Sequence, residues 1–237
     1  VIYVTAHYDS VEFSKGAYDN GAGSVLIMKL LEYFKENKPL RTVKFLWCGS
    51  EERGLLGSKA YINNLSEESI EKIIFNINVD VAGTILGTEY ASIMAEEALV
   101  NYVNYVSNEI NFPIVSRQDI YSSDSIPFSD KGIPAINLMR FGRPGAAHIH
   151  NRHDTMSFIS KESLEKTYIF LEYISKKLIN EKNSNKVIDF CASLGVKYIK
   201  LESYILGDLI HRNNCKVIAI LDDNFAKTIC EELDVLN

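Results

Sequence analysis

The chain has 237 residues, 46% of them apolar and 24% charged, a composition typical of a globular protein with an ample core and not of a disordered or fibrous one. Its formal net charge of −6 and its lack of a dense Lys/Arg cluster argue against nucleic acid or an anionic membrane surface as the main partner. No apolar stretch approaches the roughly 20 residues that span a bilayer, and no signal peptide is visible.

Apolar runs of strand length alternate along the chain with longer segments of helical period. Strands are predicted at residues 1–6, 42–47, 73–79 and 133–139. Helices are predicted at residues 24–35, 96–108 and 164–179. This alternation indicates an α/β fold with a mainly parallel sheet. In such sheets ligands bind outside the carboxyl ends of the strands, so the polar residues that follow each strand are the first candidates for a functional site.

The first strand runs directly into His7 and Asp9, which are two residues apart. Both side chains point the same way if the extended geometry continues. This suits an imidazole that binds a metal while a carboxylate holds its second nitrogen. The alternative is a histidine that makes a single hydrogen bond at the surface.

A glycine-rich turn at residues 16–23 brings Asp19 to the start of a predicted helix. Small residues allow the backbone to approach a ligand closely, so the turn favours a metal-binding carboxylate. The alternative is an Asp that caps the helix. A phosphate-binding loop is disfavoured, because both the P-loop Lys and the GxGxxG pattern are missing.

Carboxylates also follow the next two predicted strands. Glu51 and Glu52 come after an apolar run, and because neighbouring side chains of an extended backbone diverge, one can bind metal while the other faces the substrate water. The alternative is a pair of solvated acids that opens a loop. Asp80 stands among apolar residues, and a buried carboxylate needs a partner such as a metal ion.

Three of the five histidines lie within residues 148–153, after the last predicted strand of the sheet. Such a dense group of histidines predicts a metal ligand, and His150 is the predicted one. His148 and His153 are interpreted as supporting or surface residues. Asp154 is expected to fix the loop and, with Thr155, to cap the structure that follows.

A polar break at residues 183–185 separates a predicted main domain, residues 1–182, from an α/β tail, residues 183–237, with strand-like runs at 196–199 and 216–221. The cysteines are scattered and show no CxxC spacing, which favours a reduced, cytoplasmic chain: Cys48, Cys191, Cys215 and Cys230. Secretion stays open, because the chain begins inside a predicted strand without Met, as a processed or truncated form would.

Taken in order, these segments resemble the di-zinc aminopeptidases of the aminopeptidase S and aminopeptidase Y type, metallopeptidase family twenty-eight. The resemblance covers roughly residues 1–180. It is carried by residues 5–10, 18–23, 50–58, 78–80, 123–124, 127–128, 150 and 154–155. It implies a three-layer fold, a catalytic domain at residues 1–182 and activity on peptides with a free N-terminus.

The resemblance also implies roles for individual residues. Asp19 would bridge two zinc ions, with His7 and Asp80 on one ion and Glu52 and His150 on the other. Glu51 would be the general base, Tyr121 is the nearest candidate for stabilising the oxyanion, and Asp9 would support His7. The peptide bond between Asp19 and Asn20 would be cis.

Family members normally have a helix and one or two strands before the strand that carries the first His. The N-terminal edge of the sheet is therefore expected to be missing or replaced by the tail, as in a circularly permuted chain. Two other functions stay open: a glutaminyl cyclase-like acyl transferase with one zinc, and a catalytically silent binding domain of the same fold. The intact 51–57 segment argues for the peptidase.

Overall fold

The computed structural model describes residues 1–180, 198–199 and 218–219. The chain divides into two compact units, Val1–Asn180 and Glu181–Asn237. No helix in the described part of the chain is both long enough and apolar enough to cross a membrane.

The first unit contains six strands and seven α-helices within its described residues. The strands are β1 Ile2–His7, β2 Val43–Cys48, β3 Phe75–Val79, β4 Thr88–Met94, β5 Ile114–Gln118 and β6 Ala135–Phe141. The helices are α1 Ala22–Glu36, α2 Leu56–Asn63, α3 Glu67–Glu71, α4 Glu97–Glu109, α5 Ile126–Ser129, α6 Arg143–His148 and α7 Lys161–Asn180.

The six strands form one mostly parallel sheet in the order β2-β1-β3-β6-β4-β5. The strands β2, β1, β3 and β6 run parallel, whereas β4 is antiparallel to β6 and parallel to β5. The register places His7 beside Cys48 and Val79 beside Leu138. The carboxyl ends of the four parallel strands therefore meet at one edge of the sheet.

Apolar side chains cover both faces of this sheet. One core cluster joins β1, β3 and β6 to α1, α4 and α7, with Ile27 and Leu171 fully buried. A second cluster on the other face joins Tyr3 of β1 to Ile62 of α2 and Phe128 of α5. Strands covered on both faces are mostly apolar, which is why the sequence showed them as apolar runs.

A buried polar network crosses the sheet just below its carboxyl edge. The amide nitrogen of Asn78 donates to Oγ of Ser123 at 2.8 Å and to Oδ1 of Asn137 at 2.6 Å, and its oxygen accepts from Thr5 at 2.6 Å. These bonds give the buried side-chain amide of Asn78 its hydrogen-bond partners. They fix β3 two residues before Asp80.

The predicted fold class, three layers around a mainly parallel sheet, is confirmed. The predicted strands coincide with β1, β2, β3 and β6 within two residues at each end. The strands β4 and β5 were not predicted. The expected replacement of a sheet edge by residues 183–237 concerns residues outside the described part, apart from β7 Tyr198–Ile199 and β8 Ile218–Ala219, which pair antiparallel with each other.

Candidate metal centre

His7 is the last residue of β1, and its side chain is buried at the carboxyl edge of the sheet. Its Nε2 lies 3.1 Å from Oδ1 of Asp19 and 3.2 Å from Oδ1 of Asp80. On the other side of the ring, Nδ1 is 3.1 Å from the main-chain oxygen of Asp9 and 3.6 Å from its carboxylate. The main-chain oxygen of Asp9, rather than its carboxylate, therefore orients the ring.

Asp19 lies between the two histidines that the sequence singled out. It belongs to the short turn Ala17–Gly21 between β1 and α1, and it is buried. Its Oδ1 faces His7, whereas its Oδ2 lies 3.0 Å from Nε2 of His150. One carboxylate is thus shared by two groups of ligand atoms.

The turn that carries Asp19 is fixed by buried side chains from other parts of the chain. The amide of Asn20 donates to the main-chain oxygen of Val79 at 2.8 Å, and its oxygen accepts from the main-chain nitrogens of Gly23 and Val81. Asn20 thereby joins the start of α1 to the end of β3. The bond between Asp19 and Asn20 is cis, as the resemblance implied.

Glu51 and Glu52 follow β2, and their main chain is held by Asp9. The two carboxylate oxygens of Asp9 accept from the main-chain nitrogens of Glu51 at 3.1 Å and of Glu52 at 3.3 Å. The two glutamate side chains then diverge. Glu51 lies with His7 and Asp80, whereas Glu52 joins the ligand group on the other side of Asp19.

His150 is the most exposed of the candidate ligands, with 55% of its side chain accessible. Its Nε2 lies 3.2 Å from Oε2 of Glu52 as well as 3.0 Å from Asp19. Its backbone is left-handed, with φ of 61°, a conformation that costs free energy in a residue other than glycine. The loop after α6 therefore has to hold this histidine in place.

The structure brings the five predicted ligands and the predicted base, Glu51, together in two groups that could each hold a metal ion. Potential ligand atoms lie within 4.8 Å of one another in each group, one comprising His7, Glu51 and Asp80 and the other Asp19, Glu52 and His150. Asp9 contacts His7, Glu51 and Glu52 of these groups. Imidazole nitrogens and carboxylate oxygens are the ligands that zinc accepts in catalytic sites.

The charges of the site also fit a cation. Burial alone would lower the pKa of His7, but hydrogen bonds to Asp19 and Asp80 and their negative charges raise it to about 12. Burial and the charge of Asp80 raise the pKa of Glu51 to about 8, and burial and the charge of Asp19 raise that of Glu52 to about 7. The second carboxylate oxygen of Glu52, Oε1, is buried without a hydrogen-bond partner among the described residues. A metal ion would supply both the missing partner and the missing positive charge.

Tyr121 lies near this site, in an apolar cluster with Val81 and Ile149. Burial and the negative charges of Asp80 and Asp19 raise its pKa above the ordinary value, so its hydroxyl keeps its proton. Val81 and Ile149 are the neighbours of two candidate ligands in the sequence. This apolar cluster was not predicted, although Val81 and Ile149 directly adjoin Asp80 and His150 in the sequence.

Known proteins resemble this chain in sequence and fold. The model of peptidase family M28 matches residues 1–174. Aminopeptidase YwaD from Bacillus subtilis is 36% identical over 176 residues, which cover 70% of this chain and 38% of that protein. The structure of BSAP, a zinc aminopeptidase from Bacillus subtilis, superposes with a TM-score of 0.70 at 29% identity, over 76% of this chain and 46% of that one.

The chain thus spans less than half the length of these two aminopeptidases. A glutaminyl cyclase from Porphyromonas gingivalis superposes with a TM-score of 0.63, covering 74% of this chain and 71% of that one. Its sequence identity is 18%, so this similarity concerns the fold alone.

Proposed function

Because the chain belongs to peptidase family M28, we propose that it is a zinc aminopeptidase that removes the N-terminal residue of peptides with two zinc ions and Glu51 as the general base. The observation that carries this proposal is the shared carboxylate of Asp19. One of its oxygens lies beside His7 of the first ligand group, and the other lies beside His150 of the second. Two adjacent metal ions that share a ligand are typical of hydrolytic enzymes.

The residues fall into defined roles. His7 and Asp80 would hold one zinc ion, Glu52 and His150 the other, and Asp19 both. Bound zinc would polarise the scissile carbonyl and lower the pKa of a bound water. The ligand set supports zinc, since it combines two imidazoles with three carboxylates.

Glu51 is suited to the general base because it is close to the ligands without being needed by either ion in this assignment. Its carboxylate would accept the proton of the attacking water and later pass it to the leaving amine. The hydrogen bond from its main-chain nitrogen to Asp9 fixes the residue while leaving the side-chain oxygens free for proton transfer. The protonated hydroxyl of Tyr121 is proposed to donate a hydrogen bond to the developing oxyanion.

The restriction to chain ends follows from charge. The site contains the carboxylates of Asp19, Glu52 and Asp80 close together. A carboxylate oxygen that the metals leave accessible can accept a hydrogen bond from the positively charged α-amine of a peptide. A blocked N-terminus would lose this interaction. The partners that we propose are accordingly peptides with a free amine.

Two other functions remain as alternatives. The shared fold supports a glutaminyl cyclase-like acyl transferase with one zinc, but two complete ligand groups favour the peptidase. A silent binding domain of the same fold would have no need for Glu51 beside five converging ligands. The proposed location is cytoplasmic, from the scattered cysteines, with secretion as the alternative.

The first prediction concerns the free α-amine of the substrate. Zinc-loaded protein should hydrolyse leucine p-nitroanilide with a kcat/KM about 10- to 100-fold above that for the N-acetylated compound, the ratio expected for one charged hydrogen bond. The release of nitroaniline measures both rates. Equal rates would contradict the proposed chain-end specificity. Cyclisation of a glutaminyl peptide, detected as ammonia release without hydrolysis of either nitroanilide, would favour the acyl transferase.

A further inference from the structure

Asp154 is a buried carboxylate that contacts the main chain of the metal site. Its side chain is fully enclosed, and its Oδ1 accepts a hydrogen bond from the main-chain nitrogen of Tyr18 at 2.6 Å. Its Oδ2 accepts from the main-chain nitrogen of Asp19 at 3.0 Å. Both carboxylate oxygens thus hold the turn that presents the shared carboxylate.

The loop that carries His150 ends at Asp154 and is organised internally by Asn151. The side-chain amide of Asn151 donates to the main-chain oxygens of Ala147 and Ile149, at 2.9 and 3.1 Å. The main-chain oxygen of Asn151 accepts from the nitrogen of Asp154 at 3.1 Å. These bonds connect the segment around His150 to Asp154, which in turn is bonded to the turn of Asp19.

We propose that Asp154 is a positioning residue that sets Asp19 and His150 relative to each other and so determines the zinc affinity of the group they form with Glu52. This inference rests on the proposed zinc site. Asp154 belongs to neither ligand group. It acts through the main chain of one ligand and through the loop of another.

The exposure of His150 explains why such a link matters. More than half of its side chain is accessible, and its backbone is left-handed, so its own packing does little to fix its position. A carboxylate can accept from two main-chain nitrogens at once, whereas an amide in its place offers one oxygen and turns an N–H group toward the second nitrogen. Residues that hold metal ligands typically contribute about 10- to 100-fold to metal affinity.

The test compares Asp154→Asn with Glu89→Gln. Glu89 is also buried, pairs with Arg140 and Thr167, and belongs to neither ligand group, so its substitution matches the loss of a buried carboxylate. Competition with a chromogenic chelator measures the zinc dissociation constants, and the absorption spectrum of bound Co²⁺ reports ligand geometry. We expect Asp154→Asn to raise one of the two zinc dissociation constants about 10- to 100-fold and to change the Co²⁺ spectrum. Glu89→Gln should match the parent in both measurements.

Parent-like zinc constants and spectrum in folded Asp154→Asn would overturn the inference. Should that variant fail to fold, Asn151→Ala tests the loop side of this link, because it removes the side-chain bonds to Ala147 and Ile149. We expect it to raise the same zinc dissociation constant at least tenfold. Unchanged affinity in Asn151→Ala would equally overturn the inference. These outcomes are separate from failure of the proposed function, which would appear as a parent chain that binds no zinc.

Discussion

Replacing Glu51 by Gln is expected to lower kcat by about 10²- to 10⁴-fold while the zinc content stays at the parent level. Gln keeps the size and polarity of the side chain but lacks the basic oxygen that accepts the water proton. The main-chain bond to Asp9 persists, because it does not involve the side chain. Steady-state kinetics with leucine p-nitroanilide and elemental analysis of the same samples measure both quantities.

Glu52→Gln is the matched control, since it makes the same chemical change at the neighbouring residue. It removes the charge of a candidate ligand that lies 3.2 Å from His150, so one zinc ion should bind more weakly. Excess zinc should restore part of the activity of Glu52→Gln and none of that of Glu51→Gln. Loss of zinc from Glu51→Gln with full retention in Glu52→Gln would mean that the two roles are reversed.

Replacing Asp19 by Asn is expected to weaken both zinc ions and to abolish measurable activity at ordinary zinc concentrations. Each oxygen of this carboxylate faces a different histidine, at 3.1 and 3.0 Å, so both groups lose the same negative charge. Because a residue that merely supports a ligand contributes about 10- to 100-fold to metal affinity, loss of the shared ligand should cost at least about 100-fold. Equilibrium dialysis against buffered zinc measures the two constants.

Asp130→Asn is the control for this experiment, because Asp130 is exposed at the end of α5 and the substitution changes the net charge equally. Its zinc constants should equal those of the parent chain. If Asp19→Asn weakens only one zinc ion, Asp19 belongs to a single group and the shared-ligand assignment is wrong.

The site was predictable because β1 and β3 contain no charged residue before their ends, so the ionisable residue at the end of each run stands out. His7 ends β1 and Asp80 follows β3, both at the carboxyl edge. Strand β4 escaped prediction for the opposite reason. It contains the buried Glu89, whose partner Arg140 is 51 residues away, so a polar residue interrupts the apolar pattern without a visible explanation.

The supporting contacts were less predictable than the ligands. Asp9 and Asp154 act mainly as acceptors for main-chain nitrogens of distant residues. Every residue except proline carries such a nitrogen, so no side-chain pattern marks the donors. The sequence therefore indicated that Asp9 and Asp154 support the site. The main-chain groups that they bind could be identified only from the structure.

The central claim is a site for two zinc ions, and the zinc stoichiometry of the purified chain tests it most directly. Elemental analysis combined with activity should give two zinc ions per chain. Chelation should abolish activity while circular dichroism shows that the domain stays folded, because the buried core is independent of the metals. Full aminopeptidase activity at one zinc ion per chain would contradict the two-zinc account.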